Sequence, residues 1–196
     1  MTPVGKPLPR HHVTIGGWGS VLLLVLTWMS LAAGESPFAG VTLDDHLGRP
    51  HVLTAETANR LVILFAIESR VDGKAWDERL TPHLPKDRPL VRIMDAGAVR
   101  ESDRPRLLER VTKALAGTDV VFLMDWTGAL RKQLGGTVEQ AVIVATDAQG
   151  VVIGRTGGLP TAASLTTALG FLGIVPDPPL TDAKPINPKT DKRPTP

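Results

Sequence analysis

Leu61-Val62-Ile63-Leu64-Phe65-Ala66-Ile67, followed by Glu68-Ser69-Arg70-Val71-Asp72-Gly73, is the stretch that orders the rest of the chain. Seven apolar residues in a row leave no side for water, so the run predicts a strand in the middle of a sheet with both faces covered. The polar residues after it end the strand and lead into a helix that begins around Gly73-Lys74.

On the C-terminal side, Leu90–Met94 and Val120–Met124 are shorter strand candidates. Between them Ser102 is placed to cap a helix that carries Leu107, Leu108, Val111 and Leu115 on one face and stops before Gly117. A strand-helix-strand unit of this kind is expected to be parallel and right-handed. After the turn Asp125-Trp126-Thr127-Gly128, a short helix through Leu130 and Leu134 should end at Gly135-Gly136. Ala141–Thr146 and Val151–Arg155, joined by Asp147–Gly150, predict an antiparallel pair. A last helix from Thr161, after Pro160, puts Leu165, Ala168, Leu169 and Leu172 on one face. On the N-terminal side, Val41-Thr42-Leu43 and His51-Val52-Leu53 flank a turn-rich link and predict a β-hairpin. The expected architecture is a three-layer α/β fold: a central mixed β-sheet flanked by helices, with an N-terminal β-hairpin.

The 196 residues suffice for one core with tails, and an apolar share of 42% is that of a folded chain. The formal charge is +2, but residues 1–34 hold Lys6 and Arg10 and no acid, so 20 basic and 20 acidic residues balance in the remainder. Without a basic run, no nucleic acid partner is expected. The absence of cysteine excludes disulfides, thiolate metal sites, thiol nucleophiles and a lipoprotein anchor.

Residues 1–34 read as an export address. Lys6 and Arg10 precede the apolar run Val21–Met29, and Ser30-Leu31-Ala32-Ala33-Gly34 supplies small residues for cleavage after Ala32. The other reading is a retained anchor, because residues 13–33 carry no charge over a length near the ~20 residues that span a bilayer. Under both, the body at 35–175 lies outside the cytoplasm, periplasmic in a bacterium with two membranes, and membrane contact is limited to 13–33 if uncleaved. Residues 176–196, punctuated by seven prolines, are expected to form a solvated tail.

The order of elements resembles the thioredoxin-like superfamily in its exported and peroxiredoxin-related versions. Leu123–Gly135 is similar to the peroxiredoxin-type stretch in which an Asp-x-x-Gly turn leads into a short helix ending in glycine. Ala141–Gly158 resembles the late hairpin of the same superfamily. Within it the chain is most similar to the YtfJ-type periplasmic family, a cysteine-poor group, over Pro37–Gly173. The resemblance implies that the loop after Ile67 stands where active members carry Cys-x-x-Cys at a helix start, with Arg70 and Gly73 about where the two thiols would be. It also implies that the site near Ala141 corresponds to the cis-proline of redox-active members, which this chain lacks.

A P-loop needs glycine at 68 and Ser or Thr at 75, and the chain has Glu68 and Ala75. Glu68, Ser69, Arg70 and Lys74 are the candidate ligand-binding residues, since N–H groups at a helix start favour an anion or carboxylate. His46 and His51 with Asp44 and Asp45 are of metal-ligating type, but residues of these types more often build turns, so no metal is expected. His83 has no local partner, and Ser69 lacks the Gly-x-Ser-x-Gly setting of a hydrolase nucleophile. Trp76 and Trp126 are expected to pack in the core or at the rim of the site. No catalytic residue and no cofactor is expected. The reading is an exported thioredoxin-fold protein without redox cysteines that binds an envelope protein or a small ligand. The alternative is an oxidoreductase that depends on a partner's thiol.

Overall fold

The computed structural model describes residues 36–176, 180 and 181. Seven strands, β1 (Thr42–Asp45), β2 (Pro50–Val52), β3 (Leu61–Ala66), β4 (Val91–Asp95), β5 (Phe122–Asp125), β6 (Val142–Thr146) and β7 (Val152–Gly157), form one sheet in the order β2-β1-β5-β4-β3-β6-β7. All six residues of β3 are buried, as the unbroken apolar run predicts. It pairs in parallel with β4 and antiparallel with β6, which leaves no backbone edge exposed.

Five helices connect and cover the strands: α1 (Leu53–Thr57), α2 (Arg70–Leu80), α3 (Arg104–Leu115), α4 (Ala129–Gln133) and α5 (Ala162–Gly170). Side chains alternate across the sheet, so β3 feeds two cores. Leu61, Ile63 and Phe65 pack with Trp76 and Leu80 of α2, Leu107 and Val111 of α3, and Leu165, Ala168 and Leu169 of α5. Val62 and Leu64 pack on the other face with Phe38, Leu53 of α1 and Leu130 of α4, beside Leu134 just past α4. The helical faces read from the sequence are those that the sheet covers.

Local chemistry moves several boundaries. Leu53, read as the end of a hairpin strand, opens α1, because its N–H donates to Val41 O while its side chain is fully buried. Ser102 does not cap α3: it lies in a 3-10 turn, Glu101–Asp103, and Pro105 occupies the start of the helix, where its missing N–H costs nothing. Thr161 does cap α5, accepting from Ser164 N at 3.1 Å while Ser164 Oγ accepts from Thr161 N at 2.9 Å. Leu172 lies just beyond that helix.

Among the described residues, no helix is long and apolar enough to cross a membrane. The export segment and most of the proline-rich tail lie outside the described residues. Two tail residues are placed: Leu180 is partly buried against the core, and Thr181 O accepts from Arg79 Nη2 at 2.6 Å.

Candidate functional site

The loop between β3 and α2 takes its shape from Ser69. Its hydroxyl accepts from Ala66 N–H at 2.9 Å and only 2% of the residue is exposed, so it closes the strand end rather than facing a ligand. Gly73 N–H donates to Ser69 O at 2.9 Å and starts the helical ladder. Glu68, Arg70 and Lys74 are exposed. Arg70 Nη1 turns back to Ile67 O at 3.2 Å, and Lys74 Nζ leans along the helix to 3.6 Å from Glu78. The four candidate residues thus surround the start of α2, but Ser69, Arg70 and Lys74 are each directed to a separate partner and do not converge on one ligand position. Clefts of about 400, 390 and 200 Å³ open elsewhere and none is lined by residues 67–74.

Gly73 is packed beneath Phe65. A Cβ added there would lie 2.6 Å from Phe65 Cγ, and Phe65 is itself held edge-on against Phe122 at 5.6 Å. The position expected to match a second thiol is therefore filled by an aromatic ring. Trp76, one turn further on, is fully buried and donates from Nε1 to Gly158 O at 2.6 Å, and Gly158 N–H donates to Ala141 O at 3.2 Å. These bonds tie α2, the entry to β6 and the β7–α5 loop into one rim. Ala141 is fully buried at that entry.

Below the loop, Ala66, Asp95 and Asp125 align across the C-terminal ends of three parallel strands, where α/β sheets commonly bind ligands. Here the carboxylates are used structurally. Asp125 accepts from Thr127 N–H, Gly128 N–H and Leu130 N–H at 3.1, 3.0 and 3.1 Å and from the Thr127 hydroxyl at 2.6 Å, so it caps α4 from outside the helix. Asp95 Oδ2 lies 2.7 Å from Arg131 Nε, both side chains at most a tenth exposed, and Asp95 Oδ1 accepts from Gly97 N–H at 2.8 Å. Both carboxylates are occupied by these contacts within the fold.

In the sheet, the run β4-β3-β6-β7 has its first two strands parallel and its last two antiparallel to their neighbours, with α2 crossing from β3 to β4 and α5 following β7. The fold is thioredoxin-like. β5 and the hairpin extend this unit beyond β4. Solved structures with a similar fold include Etrx1, an exposed lipoprotein thioredoxin from Streptococcus pneumoniae, at 16% identity and TM-score 0.49, covering 67% of this chain and 96% of that one. StoA from Bacillus subtilis is 13% identical at TM-score 0.46, covering 64% and 92%. A thioredoxin-like protein from Aeropyrum pernix is 18% identical at TM-score 0.47, covering 78% and 99%. No protein-family model matches the chain, and no curated relative does.

His46 and His51 are engaged within the domain. His51 stands between two carboxylates, Nε2 at 3.2 Å from Asp45 and Nδ1 at 3.0 Å from Glu56; opposite ring edges cannot serve one ion. Among the described residues no group of three or more His, Asp or Glu is arranged to hold a metal. His46 is buried and accepts from Phe122 N–H at 3.4 Å, while His83 sits in a 3-10 turn, Thr81–His83. Burial opposes charge on His51, but Glu56 and then Asp45 outweigh it and raise its pKa above 6.5. Burial likewise raises Asp45, but bonds from the Arg49 backbone and guanidinium, Leu47 N–H and His51 bring it down to about 2.

Sequence reasoning did not find the Asp95–Arg131 pair or the bidentate pair in which Arg92 Nε and Nη2 donate to Asp77 at 2.8 and 2.6 Å. One signal was present: Arg92 interrupts an apolar strand, and a charge buried in a sheet needs a partner. Trp126 is partly buried, with the Arg104 guanidinium 5.0 Å from its ring centre.

Proposed function

We propose that the protein is a non-catalytic binding module of the cell envelope that presents a thioredoxin-like fold to a protein partner. The observation that carries this is the closed thiol position: the chain has no cysteine, and at Gly73 the space a side chain would need holds the Phe65 ring. A substituted enzyme would keep that space.

A protein partner is favoured over a small ligand by what surrounds the loop. Val71 on the first turn of α2, Val138 before β6 and Leu159 before α5 are 69%, 43% and 70% exposed, on the segments tied together through Trp76, Gly158 and Ala141. Apolar side chains gathered at one rim suit a flat interface. The extracytoplasmic placement rests on the export segment, and the kinship with YtfJ-type proteins on the pattern of elements and turns over residues 37–173.

A photo-crosslinking residue at Val71 in cells should capture a discrete envelope partner, and the same residue at Ile153, exposed on β7, should not. Equal labelling from both positions, or none from Val71, would contradict the reading.

A further inference from the structure

A cleft of about 400 Å³ lies between the end of α4, the start of β6 and the end of β7, with Gly135, Gly136, Thr137, Gln140, Arg155 and Gly157 in its lining. Three of these are glycines that the packing demands. A Cβ at Gly136 would meet Val142 Cγ2 at 2.6 Å, one at Gly157 would meet Ala141 O at 2.7 Å, and Gly135, at φ +64°, lies 3.0 Å by the same measure from Arg155 Nη1. The backbone is bare here, and Arg155 lies down on it.

Arg155 Nη2 donates to Gly135 O at 2.8 Å, which fixes the guanidinium at the cleft wall. Its Nε and Nη1 have no partner among the described residues, and no lining residue is acidic. A planar guanidinium with free N–H groups on a fixed frame is matched by a carboxylate. One fixed positive charge in the lining matches a singly charged anion better than a phosphate dianion.

We propose that this cleft binds a carboxylate carried by a small molecule or by the free C-terminus of a peptide, through Arg155 with Gln140 and Thr137 beside it. The volume falls within the range of small-ligand sites and accommodates one or two residues beyond the carboxylate. The cleft adjoins the rim that carries Val138 and Gly158, through Thr137, Gln140 and Gly157, but recognition in it rests on Arg155 and not on the exposed apolar side chains.

Calorimetric titration of the full chain with N-acetyl-alanyl-alanine, with its carboxamide and with acetate tests the assignment. The acid should bind saturably and the carboxamide about tenfold or more weakly, a difference of roughly 1.4 kcal/mol. Arg155→Ala should abolish that difference and Arg155→Lys should keep part of it; Arg155 is exposed on an edge strand, so both variants should fold. Acetate binding as well as the dipeptide acid would assign a small carboxylate, and binding of the dipeptide acid alone a peptide terminus. Equal binding of acid and carboxamide, no binding of either acid up to about 10 mM, or a preference that survives Arg155→Ala would overturn the proposal.

Discussion

Gly73 carries more of the account than any charged residue in its loop. Glycine inside a helix usually costs about 1 kcal/mol against alanine, so a buried helical glycine needs a reason. Here the reason is the Phe65 ring, 2.6 Å from the place a Cβ would take. Phe65 is 5% exposed and braced by Phe122, so it cannot swing away cheaply. Overpacking of this kind costs about 1–3 kcal/mol and outweighs the propensity gain. Gly73→Ala should therefore lower the unfolding free energy in chemical denaturation, and adding Phe65→Leu should recover part of the loss. A Gly73→Ala variant more stable than the parent would show that the position is open. The sequence identifies Gly73 as a residue without sulfur but not as one without room, because the ring above it comes from another element.

At the scale of elements, the hairpin of β1 and β2 is held by charge more than by packing. Asp45 is its hub, accepting from Leu47 and Arg49 N–H at 2.8 and 2.9 Å, from Arg49 Nε at 2.7 Å and facing His51. The folded pKa of Asp45, about 2, lies below its unfolded 3.8, so its contribution is full above pH 3.8 and is lost as pH falls through 2. His51 is shifted upward, so its contribution is full below 6.5 and is lost as pH rises through the higher folded value. The hairpin should be most secure between these limits. Amide exchange at Leu43 and His51 should quicken as pH is raised above 6.5, beyond the intrinsic base dependence, and His51→Gln should remove that excess. An excess unchanged in the variant would place the effect elsewhere. The strands of this hairpin are legible from their flanking turn residues. The Asp45–His51–Glu56 contact is not, because it depends on which side each residue faces once α1 begins at Leu53.

Over the whole molecule, legibility follows the range of the interactions. β3, the α4 turn and the β6–β7 pair announce themselves through local patterns: an unbroken apolar run, Asp-x-x-Gly, and two strands around a short turn. Strand order is less local; the insertion of β5 between β4 and β1 follows from pairing that no window of sequence displays. The place of the β3–α2 loop is legible in the sequence, but the directions of its side chains are not. Glu68, Arg70 and Lys74 are at the start of α2 as read, whereas Ser69 is turned inward and the Arg155 cleft unites residues twenty positions apart through one hydrogen bond. Long polar contacts have no period, so sequence patterning does not reveal them.

The full chain, purified and supplied with dithiothreitol, should leave insulin disulfides and hydrogen peroxide at the rates of a protein-free control. Under the binding-module proposal, a chain without cysteine, in which the Phe65 ring fills the space at Gly73, has no thiol of its own through which to pass electrons. Sustained turnover above that control, lost on heat denaturation, would contradict the account.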